Sequence, residues 1–195
     1  FYLNGNGGGL IAAPSDQGQA QWGCAGTTIN GADGTAIGTG YQNTMDIEAG
    51  CTTAGTAADV CANLSLGGYS DWFLPSKDEL SLMYQNIGLG NALGLGNIGG
   101  FANWYSSSSE KADGNVWSLN FNNGSEFGLV KISNNQVRAI RAFSSSSSNI
   151  DSYTWSPGGE TTSSINISPT TTTTYTVDVT SGSTTCQDSV VVTVN

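Results

Sequence analysis

Apolar positions recur along this chain at two different periods, and the switch between them marks out its elements. In "TAADVCANL", residues 56 to 64, Ala57, Val60, Cys61 and Leu64 fall on one helical face. Thr56 stands three residues before Asp59, the spacing of a capping box, and Gly67 and Gly68 stop the segment. In "GGYSDWFLPSKDELSLMY", Pro75 precedes Ser76 and Glu79 follows three residues later, which predicts a helix capped by Ser76 and running to about Ile87. Leu80, Met83, Tyr84 and Ile87 give it an apolar stripe, Gly88 ends it, and Trp72 and Leu74 read as buried anchors leading into it.

Further along, the period becomes two. Trp117, Leu119 and Phe121 alternate with Val116, Ser118 and Asn120; "NNG" is the signal of a tight hairpin, and "SEFGLVKI" is its return strand. "QVRAIRAF" predicts a third strand closing the domain. Between helix and hairpin, "GLGNALGLGNIGGFANWYSSSSE" reads as one long glycine-rich loop, a length often tied to function. The serines of "AFSSSSSNID" cannot pack a core and read as a linker. Beyond them Tyr175, Val177 and Val179 alternate with Thr176, Asp178 and Thr180, and "DSVVVTVN" is a second β-branched run. The expected organisation is an α+β domain over 1–143, a serine-rich linker over 144–152 and a partial all-β module over 153–195.

Composition narrows the function. Only 10% of the 195 residues are charged, so hydroxyls and amides keep the surface soluble, as suits a secreted or cell-surface protein. The net charge is −10 with five basic residues in all, of which only Arg138 and Arg141 are neighbours. That argues against nucleic acid as a partner, because neutralising phosphates takes clustered cations. No apolar run reaches the length of a membrane span. The sequence opens on "FYLNGNGGG" without Met or a signal-peptide pattern and reads as a processed or excised piece of a longer chain. There is no histidine, which removes Ser-His-Asp and Cys-His nucleophiles and His-ligated zinc. Cys24, Cys51, Cys61 and Cys186 show no CxxC spacing. An extracellular setting predicts at least one disulfide among the first three. Cys51 with Cys61 would close a short loop, Cys24 with Cys61 would tie the N-terminal region to the 56–64 helix, and spacing does not choose.

Four stretches, "GGYSDWFLPSKDELSLMY", "NWYSSSSE", "VWSLNF" and "VRAIRAF", together resemble the bacterial Lcl C-terminal domain family. Its hallmarks are a G-x-x-D-W-x-L-P-(S/T)-x-x-E-L run, a (Y/W)-W-S-S-(S/T)-E run and a terminal V-R-A-(V/I)-R. The first is complete from Gly68 to Leu80; in the second, Trp104-Tyr105 departs from the usual aromatic order. The resemblance covers Phe1 to Phe143 and implies a C-type-lectin-like fold, with two helices framing small antiparallel sheets. After it, "YTWSPGG", "SPTTTTTYTV" and "DSVVVTVN" resemble Ig-like modules of large Bacteroidota adhesins. Such modules carry an earlier strand pair and a cysteine to partner Cys186, and neither is found between Phe143 and Tyr153. Completion by strand addition, from a neighbouring subunit or further chain, is therefore expected. "DSV" resembles the Bacteroidota O-glycosylation motif and makes Ser189 a candidate, alongside the N-glycosylation patterns at Asn63, Asn123 and Asn166.

The resemblance also frames the chemistry. The implied fold includes enzymes that make formylglycine, but they need a late cysteine pair, and this domain has no cysteine after Cys61. Asp78 and Glu79 occupy a first helical turn, where the dipole already accounts for them, so no glycosidase pair stands out. No enzyme is expected. Calcium is the cofactor a lectin-like fold implies, and "NGADGT" and "MDIEAG" supply Asp33, Asp46 and Glu48 as oxygen ligands for a structural ion. The remaining functional surface is the loop and hairpin: Trp104, Tyr105 and Trp117 as stacking faces, with Asn120, Asn122, Asn123 and Asn134 as amide donors and acceptors. The bland alternative places the tryptophans in the core. The expected function is a secreted adhesion or recognition module for a glycan or protein ligand; the rival is a structural subunit of a filament or stalk.

Overall fold

The computed structural model describes residues 1–111, 114–144, 150–181 and 184–194. The chain divides into two compact units, Phe1–Phe143 and Ser144–Asn195. Of the expected linker, residues 145–149 lie outside the described residues. The first unit begins with β1 (Tyr2–Leu3), β2 (Gly9–Ala12) and β3 (Gln19–Ala20), followed by helices α1 (Gly40–Gly50), α2 (Ala57–Ala62) and α3 (Lys77–Ile87). Then come β4 (Trp104–Glu110), β5 (Asn115–Asn120), β6 (Ser125–Val130), β7 (Asn135–Gln136) and β8 (Ile140–Phe143). The second unit holds β9 (Ser152–Ser156), β10 (Thr173–Ser181) and β11 (Thr184–Val192). The sheets run β1-β2-β8, β3-β7-β4-β5-β6 and β11-β10-β9.

This architecture corrects the expected fold class. The chain is mostly β, in three small sheets, with three short helices where the C-type-lectin-like reading has two. Among the described residues the second unit is a single three-stranded antiparallel sheet, not a two-sheet Ig-like sandwich. Two helices do begin where the pattern places them. Thr56 Oγ1 accepts from the Asp59 amide at 3.1 Å, and Ser76 and Glu79 make both bonds of a capping box. The helix that the pattern misses is α1, whose buried stripe is Gly40, Asn43, Thr44 and Ile47. It docks largely through hydrogen bonds. Asn43 Nδ2 donates to Gly34 O (2.6 Å) and Ser108 Oγ (3.2 Å), while Thr44 Oγ1 accepts from Leu74 N (3.1 Å).

The second correction is β4. Its serines read as loop, yet it is a strand buried from Tyr105 through Glu110. Buried hydroxyls need partners, and each serine has one. Ser107 Oγ donates to Trp117 O (2.7 Å) and Ser109 Oγ to Gly34 O (2.6 Å). Ser106 Oγ accepts from Asn135 Nδ2 (3.0 Å), and Ser108 Oγ from Asn43. The third correction is "QVRAIRAF", which is not one strand. Its start belongs to β7 in the five-stranded sheet and its end to β8, beside β2. The chain changes sheets at buried Arg138, which donates to Asp16 Oδ1 (2.6 Å), Ala13 O (3.1 Å) and Gly99 O (3.1 Å).

Trp72-Phe73-Leu74 feeds two cores at once. Trp72 and Leu74 join a cluster with Trp22, Ile47 and Val137, and Phe73 joins Leu80, Met83, Tyr105, Phe121 and Ile140. Phe73 and Ile140 exchange both backbone hydrogen bonds, at 2.8 and 3.0 Å.

Cys24 pairs with Cys51, the C-cap of α1, which is neither of the two pairings spelled out above; Cys61 stays a buried thiol, and burial pushes it up from its ordinary value. The bridge closes a 27-residue separation. Replacing both Cys24 and Cys51 by serine should lower unfolding free energy by about 2–3 kcal/mol, read as an earlier urea midpoint than that of the oxidised protein.

Candidate functional site

The strand register decides which candidate residues share a face. Trp104 lies opposite Asn120 and Tyr105 opposite Leu119. Opposed residues point the same way and successive ones alternate. Trp104, Ser118 and Asn120 therefore face one side of the sheet, and Tyr105, Trp117 and Leu119 the other. The two tryptophans do not form one surface.

Tyr105 is a core residue. It is fully buried against Phe101 and Phe121, and its hydroxyl donates to Asp16 Oδ2 at 2.8 Å. Burial, with Asp16 beside it, pushes the phenol up to about 12. Trp117 is half-buried opposite Gly128, with the ammonium groups of Lys111 and Lys77 lying 4.9 and 5.9 Å from its ring centroid. Its ring is a cation platform on the side that packs toward α3.

The other face is buried at Ser106 and Ser118, whose hydroxyls accept from Asn135 Nδ2 (3.0 and 3.5 Å), and opens toward the hairpin end. Trp104 is half-buried beside Asn120, and Phe127, opposite Ser118, is 64% exposed. Asn122 and Asn123 are exposed in the hairpin turn. The turn uses their amide oxygens: Asn122 Oδ1 accepts from Asn103 N (3.4 Å) and Asn123 Oδ1 from Ser125 N (3.0 Å). Their NH2 groups are left out of these bonds. Asn134 is exposed on the segment entering β7. Sequence reasoning passed over Phe127, because nothing in "SEFGLVKI" tells an outward ring from an inward one until the register with Ser118 is known.

The calcium candidates do not converge. Asp46 and Glu48 lie on α1, where Asp46 Oδ1 accepts from Gln42 Nε2 (3.0 Å); burial, and then Asp59, raises the Glu48 carboxyl above its ordinary value. Asp33 is exposed at a hollow beside Glu110 and Lys111. Among the described residues no three His, Cys, Asp or Glu side chains are grouped to hold a metal ion. Ser189 is exposed on β11, opposite Thr176.

Residues of the first and last motifs meet elsewhere on the unit. Arg141 binds Asp71 through Nε and Nη2, both at 2.8 Å, and its guanidinium lies 3.7 Å from the Tyr69 ring centroid. The hydrogen bond from Arg141 holds the Asp71 carboxyl below its ordinary value. This fork borders two clefts of about 290 and 270 Å³, one lined by Ile11, Leu66, Tyr69 and Trp72, the other by Tyr41 and Phe73. Tyr69, Asp71 and Arg141 stand in the motifs of the family resemblance without having been assigned a role.

The Lcl C-terminal domain matches residues 19–141, more than half of the chain, and the chain belongs to that family. No curated protein matches the chain. Family membership and the disulfide fit a secreted or surface protein. Among the described residues no helix is long and apolar enough to cross a membrane.

Proposed function

We propose that the first unit is a recognition module of a secreted or surface protein, binding a glycan or protein ligand on the outer face of the β4–β5–β6 hairpin sheet. The observation that supports this is the placement of half-buried Trp104 and Asn120 and exposed Phe127 near the hairpin end of the sheet, with the exposed Asn122–Asn123 turn beside them. Accessible rings with short amide neighbours give large contact area at low entropic cost. On this reading the surface comprises Trp104, Asn120 and Phe127, which share a face, and the exposed turn residues Asn122 and Asn123. Tyr105 is spent on the core, and Trp117 faces the other way.

Glycan and protein arrays test this directly. Reproducible binding should weaken by about tenfold or more, roughly 1.4 kcal/mol, on Trp104→Ala or Asn122→Ala, and likewise on Phe127→Ala. Loss on Tyr69→Ala with those three variants unaffected would move the site to the Asp71–Arg141 clefts.

A second reading, a structural subunit assembled by strand addition, is supported by the second unit. Its outer strands β9 and β11 have one partner each among the described residues. Open edges of this kind recruit strands. Absence of any array ligand together with fibres in electron micrographs would favour it.

A further inference from the structure

The second unit's sheet sorts its side chains by face. On one side lie Tyr153 and Trp155 of β9, Tyr175, Val177 and Val179 of β10, and Cys186, Asp188, Val190 and Val192 of β11. The opposite side carries Ser152, Thr154, Thr176, Asp178, Thr180, Thr185, Gln187 and Ser189, with Val191 near one end. The polar face is satisfied within itself: Gln187 Nε2 donates to Asp178 Oδ1 (2.7 Å), and the Thr180 and Thr185 hydroxyls lie 3.2 Å apart. The apolar face is not closed. Tyr175 is buried within the unit and Trp155 Nε1 donates to Thr162 O (2.9 Å), so the segment after β9 lies against part of this face; toward β11 Val190 is 53% exposed and a hollow of about 110 Å³ opens between Trp155, Tyr175, Val177, Asp188 and Val190. A sheet with one apolar face requires a second layer. Pairing along an edge lengthens the sheet and leaves the open part of that face, toward β11, uncovered.

We propose that this face packs against the same face of a second copy of the chain, giving a two-fold, two-layer sandwich. Its shape supports a self-complementary contact. The large rings sit on one outer strand, β9, and the small side chains and the hollow lie toward the other, β11. A two-fold axis between the layers and along β10 sets the rings of each copy over the small edge of its partner, an isologous arrangement. Sheets packed this way lie within about 30° of alignment. The same operation places each Asp188 over the partner's β9 edge rather than over the partner's Asp188, so the like charges are kept apart. Three strands about 4.8 Å apart and up to nine residues long offer roughly 400 Å² per copy, about half of what a standard interface takes from each partner. The association is therefore weak and concentration-dependent. It stands independently of the ligand-binding reading of the first unit.

Sedimentation velocity on the full chain, up to about 1 mM, tests this with two neighbouring variants. Val190 and Val191 are exposed to 53% and 59% on the same strand but point to opposite faces, and neither holds the core together. The parent should dimerise, Val190→Lys should weaken dimerisation by about tenfold or more, and Val191→Lys should leave it within about twofold. Both variants change the charge equally, so a purely electrostatic effect would move them together. Alkylation of exposed Cys186, which lies on the apolar face, should slow as the parent associates, whereas Cys61 is buried throughout. A monomer at every concentration overturns the proposal. So does equal weakening by both variants, which points to pairing along the β11 edge, and so does no effect of either, which places the contact elsewhere.

Discussion

Lys131→Met should cost about 3–5 kcal/mol of stability, far more than its loss of one surface-type charge suggests. Lys131 and Glu110 are buried, with side chains 1% and 3% exposed and Nζ 2.6 Å from Glu110 Oε1. The ammonium also donates to Thr27 O and stands 4.4 Å from the Trp22 ring centroid. Glu110 Oε2 accepts from Ile29 N at 2.7 Å, and the Lys131 ammonium is the partner of Oε1 among the described residues. The ion pair alone therefore compensates that oxygen. Removing the cation leaves a buried carboxylate without its counter-charge, the situation that makes breaking a buried pair so destabilising, whereas replacing both members is often near neutral. Adding Glu110→Gln to Lys131→Met keeps a carbonyl for the Ile29 amide and removes the orphaned charge. The double variant should recover at least about 2 kcal/mol of the loss, a coupling that urea titrations of the four proteins would measure. Strict additivity would show that the two side chains do not depend on each other.

That pair also shows where sequence reading stops. Glu110 ends a serine run and Lys131 follows the last residue of β6, and at either position solvated charge is the ordinary expectation. Only the packing of β4 into the middle of a sheet puts them together. The same contrast runs through the fold. Helix α3 was legible because its signals are local: Ser76 and Glu79 three residues apart, an apolar stripe and a terminal glycine. Helix α1 was not, because three of its four buried positions are Gly40, Asn43 and Thr44. Its docking free energy comes substantially from hydrogen bonds, which leave no hydrophobic period to read. In the candidate site, the hairpin followed from alternation and the Asn-Gly turn. Which rings share a face did not. Trp104 and Trp117 sit on different strands, and β4 shifts register against β5 between Ser106 and Glu110. Parity along one strand says nothing about the next until the pairing is known. In the second unit the alternation of Tyr175, Val177 and Val179 was legible. That β9, β10 and β11 form one sheet, whose outer strands have one partner each among the described residues, was not.

Gly40→Ala should destabilise the protein by about 2–3 kcal/mol, the opposite sign to the ordinary effect of this change in a helix, where alanine gains about 0.5–1 kcal/mol. The reversal comes from Glu79. This buried residue is the third of α3 and closes its capping box, accepting from Ser76 N at Oε2 (2.8 Å). Its Oε1 accepts from Gly38 N (2.8 Å), in the segment just before α1. One carboxyl therefore satisfies backbone donors at the starts of two helices. Burial raises it above its ordinary value, and the bonds from Ser76, Gly38 and Gly40 oppose that shift. A methyl group on Gly40 would lie 2.2 Å from Glu79 Oε2 and 2.8 Å from Ser76 N, so either the carboxyl or the start of α1 must move. Glu79→Ala removes the obstructing oxygen but leaves buried amides without an acceptor, each worth about 1–3 kcal/mol, and should itself cost about 3–4 kcal/mol. In that background Gly40→Ala should cost at least about 1 kcal/mol less than in the parent, because part of the clash is already gone. Guanidinium titrations of the two single variants and the double variant measure all three values. A Gly40→Ala protein as stable as the parent would mean that Glu79 does not hold the two helix starts together.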